Sequence, residues 1–243
     1  AREYGYDGIE PRMDAGHAHG VEIASTAAER DAARSIAAGS AVSLACLATS
    51  LRYADPANTP DVIRDTHARI DLAADVGIPR MRVFGGKLPE GVSREAAIDL
   101  VAQCLGRVAD HAAERSVVIC VETHDDWCDP AHVAEVMKRV DHPGVAVNWD
   151  IMHPVRTGHA TVDESFGILA PWIRHTHVHD GVLEAGSLRM VPMGDGFVDH
   201  RRAMQLLASA GYNGFLSGEW IDWEPFDRHL PRELARLRSY ETT

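Results

Sequence analysis

Four short stretches of this chain each end in a side chain that can bind a metal: 118–122 (VICVE) in Glu122, 145–150 (VAVNWD) in Asp150, 173–177 (IRHTH) in His177 and 214–219 (GFLSGE) in Glu219. Each reads as a buried strand. Where parallel strands close into a barrel, their C-terminal ends share one mouth, so the four side chains would face a common centre. Three carboxylates and one imidazole meeting there would hold a divalent cation, and burying three carboxylates together without one is costly. A cation at a carbonyl and its neighbouring hydroxyl acts as a Lewis acid and makes the carbon-bound proton beside the carbonyl removable. Glu122 and Glu219 are then candidates for catalysis as well as for metal binding, because carboxylates on two faces of a substrate can take a proton from one side and return one on the other. Return to the same carbon is epimerisation and return to the adjacent carbon is aldose–ketose isomerisation. Loss of a β-hydroxyl from the same intermediate is dehydration.

The elements that must position these residues alternate along the chain. Strands are expected at 6–10, 42–49, 80–84, 117–122, 145–150, 173–179 and 214–219, and helices at 25–38, 60–76, 93–114, 130–140, 162–169 and 199–211. Pro60 sits at a favoured first-turn position, and Gly77 closes the same helix. Strands alternating with helices mean parallel βαβ units. The 243 residues are close to the roughly 250 of a (β/α)8 barrel, so the expectation is one α/β domain over 1–243; a doubly wound open sheet is the alternative. Seven strands are one short of closure, and an open edge is normally avoided. The chain starts without Met in what reads as the last turn of a helix. A first strand and most of a first helix, roughly 20–30 residues, are therefore expected before Ala1, unless another element fills the gap.

The formal charge is −12, with Lys and Arg scattered, which argues against nucleic acid as partner. No apolar run approaches the roughly 18 residues of a membrane span and no leader pattern opens the chain. The expectation is a soluble cytoplasmic protein. Cys46, Cys104, Cys120 and Cys128 show no CxxC or zinc-finger spacing and read as reduced. The 14 histidines cluster after strands, at His17 and His19, His124, His153, and His175, His177 and His179.

Several motifs together carry a family resemblance: GYDGIE at 5–10, DLAADVGIPRMRVFGG at 71–86, VETHDDW at 121–127, NWDIMHP at 148–154, HTHVHDG at 175–181, MGDGFVD at 193–199 and GYNGFLSGEW at 211–220. Each is weak alone, but their order and strand placement are specific. The chain resembles the sugar phosphate isomerase/epimerase superfamily, the xylose isomerase-like TIM barrels that include ketose 3-epimerases, hydroxypyruvate isomerase and inosose dehydratase. The resemblance implies that Glu122, Asp150, His177 and Glu219 are the metal ligands, with His177 favoured over His175 and His179, and that His153 binds substrate. It implies a metal-dependent isomerase or epimerase of a ketose, sugar phosphate or related hydroxy-ketone, working through a metal-bound cis-enediolate. A lyase on the same scaffold, of the inosose-dehydratase or C-glycoside-cleaving type, is the alternative. A zinc-dependent abasic-site endonuclease, which the His17 and His19 pair keeps open, is disfavoured by the absence of a basic face. The mainly hard donor set points to Mn²⁺, with Mg²⁺, Co²⁺ and Zn²⁺ as alternatives. The partner is a small sugar or polyol-ketone; self-association into a homo-oligomer is left open.

Further candidates lie near the ligands. His124, two residues beyond Glu122, Arg156 beyond His153, and His179 beyond His177 are candidate substrate contacts. Trp127, with Trp149 and Trp220, is a candidate wall for a sugar ring, the bland reading being a barrel-rim filler. His175 is expected to face away from the mouth. Arg82, inside a strand, needs an acidic partner, and Glu10 is the expected one. The amides around Gly194-Asp195-Gly196 are a weak candidate phosphate cradle.

Overall fold

The fold is described from a computed structural model covering residues 1–17 and 19–241. A curled parallel sheet carries its helices on the outside, giving an α/β TIM-barrel architecture. Strand β1 (Gly8–Ile9) leads to helix α1 (Ala27–Ser40), whose start is fixed by a capping box in which Thr26 and Glu29 exchange hydrogen bonds. One strand was expected at 42–49. It is divided into β2 (Ser43–Leu44) and β3 (Leu47–Arg52), and runs on to Arg52. Both parts lie along the first segment: β2 pairs with β1, Ala45 N–H donates to Ile9 O (2.8 Å), and Arg12 bridges Ala48.

The order then follows the chain: α2 (Thr59–Val76), β4 (Arg80–Phe84), α3 (Arg94–Glu114), β5 (Val118–Glu122), α4 (Pro130–Val140), β6 (Val145–Asp150), a short α5 (Met152–Arg156), α6 (Val162–Leu169) and β7 (Ile173–Val178). Beyond β7 an antiparallel hairpin, β8 (Asp180–Glu184) and β9 (Ser187–Val191), turns at Ala185 and Gly186, both at positive φ. Helix α7 (His200–Ser209), β10 (Leu216–Gly218) and α8 (Phe226–Glu241) complete the chain. The sheet runs β10-β7-β6-β5-β4-β3. This monotonic order is that of a barrel rather than a doubly wound sheet, in which the order reverses.

Apolar residues explain the layering. Strand β6 is buried along its whole length, as a strand covered on both sides must be, and α3 sends Ile98, Val101, Leu105 and Val108 inward at helical spacing. All four cysteines are buried and unpaired. No helix among the described residues is long and apolar enough to cross a membrane.

The outer edges of β1 and β10 face each other across a gap. Among the described residues no strand pairs with either edge, and α8 lies alongside a cleft of about 890 Å³ that both edges line.

The expected phosphate cradle is a correction. Gly194 N–H (2.9 Å), Gly196 N–H (3.1 Å) and Val198 N–H (3.2 Å) all donate to the buried Asp180 carboxylate, so the chain supplies its own anion. A β-carbon on Gly196 would lie 2.1 Å from Asp180 Oδ1, which explains the glycine.

Candidate metal centre and its surroundings

Each expected ligand sits at or just beyond the C-terminal end of its strand, and the fold brings the four together. One donor atom from each of Glu122, Asp150, His177 and Glu219 lies within 4.8 Å of the others. A cation about 2.0–2.4 Å from each donor requires donors no more than roughly 4.8 Å apart, so the set fits. His177 Nδ1 is 3.1 Å from Glu122 Oε1 and 3.3 Å from Glu219 Oε2. Glu122 is fully buried, yet its Oε2 has no hydrogen-bond partner, because Arg82 Nε stands 3.1 Å away but misaligned. Arg82 thus balances charge without satisfying the oxygen, and a buried oxygen left unsatisfied has a lone pair that a cation could fill. Two further groups are close enough to hold an ion: Asp150, His153 and His179, and Glu10, Cys46 and His175.

Glu10 and Arg82 exchange the partners expected of them. Arg82 reaches Glu122 (3.1 Å) and Glu219 (3.7 Å), donates to Thr49 O (2.7 Å) and lies over the Phe84 ring. Glu10 instead accepts from His175 Nε2 (2.8 Å), His177 Nε2 (3.2 Å) and Ser217 Oγ (2.7 Å). His175 thus shares the face of His177, because residues two apart on a strand point the same way; the expectation that it faces away is corrected. Glu10 holds the Nε2 proton of His177 and turns Nδ1 toward the other carboxylates, the outer arrangement that orients metal-binding histidines. That role escaped the sequence reading, although Glu10 follows its strand as the ligands follow or end theirs.

The charges follow from this packing. Burial would lower the pKa of His177, but Glu10, Glu122 and Glu219 around it outweigh that and raise it well above the usual histidine range. Burial would raise Glu219, but His177, by charge and hydrogen bond, and then Arg82 bring it down to about 2. Asp150 is pulled down against its burial by His153 and His179. Its Oδ1 accepts from Met152 N–H (2.9 Å) and His153 N–H (3.2 Å), and its Oδ2 from His179 Nε2 (2.8 Å).

The expected substrate contacts divide. His124, His153 and His179 form a row of edge-on rings, 4.6 Å and then 5.5 Å between centroids, beside Asp150, and Arg156 Nε stands 3.3 Å from His153 Nδ1. Trp127 lies elsewhere: it is 0% exposed, and its indole N–H donates to Gly86 O (2.8 Å), so it fills the wall instead of meeting the mouth. Trp149 is buried too, donating to Ser165 Oγ (2.9 Å). Trp220 lines a cavity of about 300 Å³ that also has His177 and Glu219 in its wall.

The profile of the xylose isomerase-like TIM barrel family matches residues 1–240, and the chain belongs to that family. A 3-dehydroshikimate dehydratase of Bacillus anthracis is 24% identical over 159 residues, 58% of this chain; the match spans only about half, 56%, of that relative's length. The structure of 3-keto-D-glucoside 4-epimerase from E. coli superposes with a TM-score of 0.78 at 15% identity, covering 98% of this chain and 91% of that one. A xylose isomerase-like TIM barrel protein from Mycobacterium smegmatis, solved in complex with magnesium, gives 0.77 at 20% identity over 99% and 86% of the two chains. At these identities the structural likeness concerns the fold.

Proposed function

We propose that this chain is a divalent-metal-dependent enzyme acting on a small hydroxylated ketone of sugar type, an isomerase or epimerase that moves a proton at the carbon beside the carbonyl. The observation that carries this reading is the convergence of Glu122, Asp150, His177 and Glu219 within 4.8 Å, at the ends of neighbouring strands. Mn²⁺ suits three carboxylates and an imidazole, with Mg²⁺, Co²⁺ and Zn²⁺ as alternatives. Bound there, the cation supplies Lewis acidity that stabilises negative charge as it develops on the substrate.

The chain's own residues divide the remaining work. Glu219 keeps 23% of its side chain exposed and lines the 300 Å³ cavity, so it can reach a substrate proton; its depressed pKa makes it an anion at neutral pH. Glu122, wholly buried and anchored by Arg82, is the second acid/base group. Asp150 is fixed by two backbone amides and serves as a ligand. His124, His153, Arg156 and His179 offer donors to substrate hydroxyls along one side. Trp127, assigned above to the wall, takes no part.

A second reading, dehydration, is favoured by the sequence match to a dehydratase. In it His179, whose pKa is raised against its burial by Asp150, gives a proton to the departing hydroxyl. Incubating Mn²⁺-loaded protein with ketoses and inososes in D₂O separates the readings. Isomerisation or epimerisation puts deuterium beside the carbonyl of a product of unchanged composition, whereas dehydration yields a conjugated enone absorbing in the ultraviolet. Isomerisation or epimerisation with no deuterium at that carbon would refute proton transfer to solvent-exchanging carboxylates.

A further inference from the structure

The cavity beside the candidate ligands contains one cation that nothing yet accounts for. Its wall includes Glu10, Arg12, His177, Glu219, Trp220 and Asp222. Arg12 stands two residues beyond Glu10 on an extended segment: Ala48 N–H donates to Pro11 O (2.9 Å) and Met13 N–H to Ala48 O (2.9 Å), a regular parallel bridge centred on Arg12. Residues two apart on such a segment share a face. Glu10 touches His177 at 3.2 Å, so Arg12 projects on the same side, one step nearer the mouth. The segment is held from behind, since His19 Nε2 hydrogen-bonds the Arg12 carbonyl (2.9 Å).

The acids in this wall are otherwise engaged. Glu10 serves His175, His177 and Ser217, and Glu219 serves His177 and Arg82. Asp222 is exposed and makes no ion pair with Arg12. The Arg12 guanidinium has no hydrogen bond or ion pair with any described residue, although the chain carries a net charge of −12 and acids outnumber bases. A guanidinium fork is matched to planar or tetrahedral oxyanions, and a site of about 300 Å³ is at the small end of ligand pockets.

We propose that Arg12 is the anion-binding residue of this site, and that the substrate is a small hydroxy-ketone bearing a carboxylate or a phosphate. The inference rests on the metal-site reading above. It adds what that reading leaves open, the charge of the substrate and the side of the cavity on which the charged end lies. The carbonyl end faces Glu219 and His177, and the oxyanion faces Arg12.

Three probes share the hydroxy-ketone and differ only in charge: dihydroxyacetone, hydroxypyruvate and dihydroxyacetone phosphate. Each is titrated calorimetrically into Mn²⁺-loaded wild type, Arg12→Gln and Arg12→Lys, with metal content measured in parallel. In the wild type at least one anionic probe binds on the order of ten- to a hundredfold tighter than dihydroxyacetone, the worth of a charge-assisted pair. Which anion is favoured identifies carboxylate or phosphate. Arg12→Gln abolishes the preference while leaving metal content and dihydroxyacetone affinity unchanged, and Arg12→Lys retains part of it. Equal binding of neutral and anionic probes by the wild type overturns the proposal, as does a preference that survives in Arg12→Gln. A wild type that takes up no metal sinks the metal reading instead. Inorganic phosphate titrated into metal-free protein then tests Arg12 by itself: weaker binding to Arg12→Gln supports it, and equal binding overturns it.

Discussion

Replacing Glu10 by Gln keeps the size of the side chain and removes its charge. Three donors converge on the Glu10 carboxylate, from Ser217 (2.7 Å), His175 (2.8 Å) and His177 (3.2 Å). A carboxylate accepts from all three, whereas an amide must present its own NH₂ to at least one of them. The variant therefore loses the grip on the His177 Nε2 proton and sets donor against donor in a nearly closed space, at a cost of about 1–3 kcal/mol for the misplaced polar group. Partners that orient a metal-binding histidine are typically worth 10–100-fold in metal affinity, or about 1.4–2.7 kcal/mol. Glu10→Gln is expected to weaken Mn²⁺ binding within that range. The assay is titration of metal-free protein with Mn²⁺, following the free-ion electron paramagnetic resonance signal, beside Ser217→Ala, which removes one donor and spares His177. A Glu10→Gln dissociation constant equal to that of the wild type would refute the tautomer-holding role. An equal loss in Ser217→Ala would show that general packing, and not the contact with His177, sets the affinity.

Other outcomes follow from the same geometry. Asp150→Ala should lose most of its metal by elemental analysis, because it removes a fully buried donor; full metal content would remove Asp150 from the ligand set. Glu219→Gln should retain most of its metal while turnover falls on the order of 10²–10⁴-fold, the usual worth of a positioned acid/base group; an unchanged rate would exclude Glu219 from proton transfer. Metal uptake must displace a proton from His177, whose pKa is raised well above the ordinary value in the metal-free protein. Below that raised pKa, affinity should climb roughly tenfold per pH unit, with about one proton released per ion. Calorimetry in buffers of different ionisation enthalpy reads this release directly, and a buffer-independent heat would contradict it. The sign for stability is opposite. A raised histidine pKa stabilises the metal-free fold fully below the unfolded value of about 6.5, and that contribution is lost as pH rises through the folded value. Trp127→Ala should cost about 3–5 kcal/mol in chemical denaturation; a small cost with a large loss of substrate affinity would restore Trp127 to the mouth.

The sequence was most legible where one rule dominated. Strands β4 and β6 and helices α4 and α6 fall at the expected positions because apolar runs, Pro130 at a helix start and the capping pair Thr161 and Glu164 mark their limits. The four candidate ligands could be proposed from the sequence because each lies at or directly after the C-terminal end of a short strand. The hairpin at β8 and β9 and helix α8 were not anticipated: β9 alternates, with Leu188 and Met190 turned inward, but β8 does not, and α8 carries Pro231 inside it. Partner choice was the least legible. Nothing in the local pattern tells whether Arg82 pairs with Glu10 or with Glu122, because that depends on register across β3, β4 and β5. The bond between Glu10 and His177 joins residues 167 apart in sequence, and Trp127 looks like a mouth residue until the loop after β5 is seen to turn it into the wall.

The proposed function requires one divalent cation held by Glu122, Asp150, His177 and Glu219. The most direct test is anomalous diffraction from crystals grown with Mn²⁺, where the peak is located without reference to any assumed ligand. The structure predicts a single strong peak about 2.0–2.4 Å from His177 Nδ1 and from an oxygen of each of the three carboxylates. A peak instead among Asp150, His153 and His179, or among Glu10, Cys46 and His175, or no peak within this mouth, would contradict it.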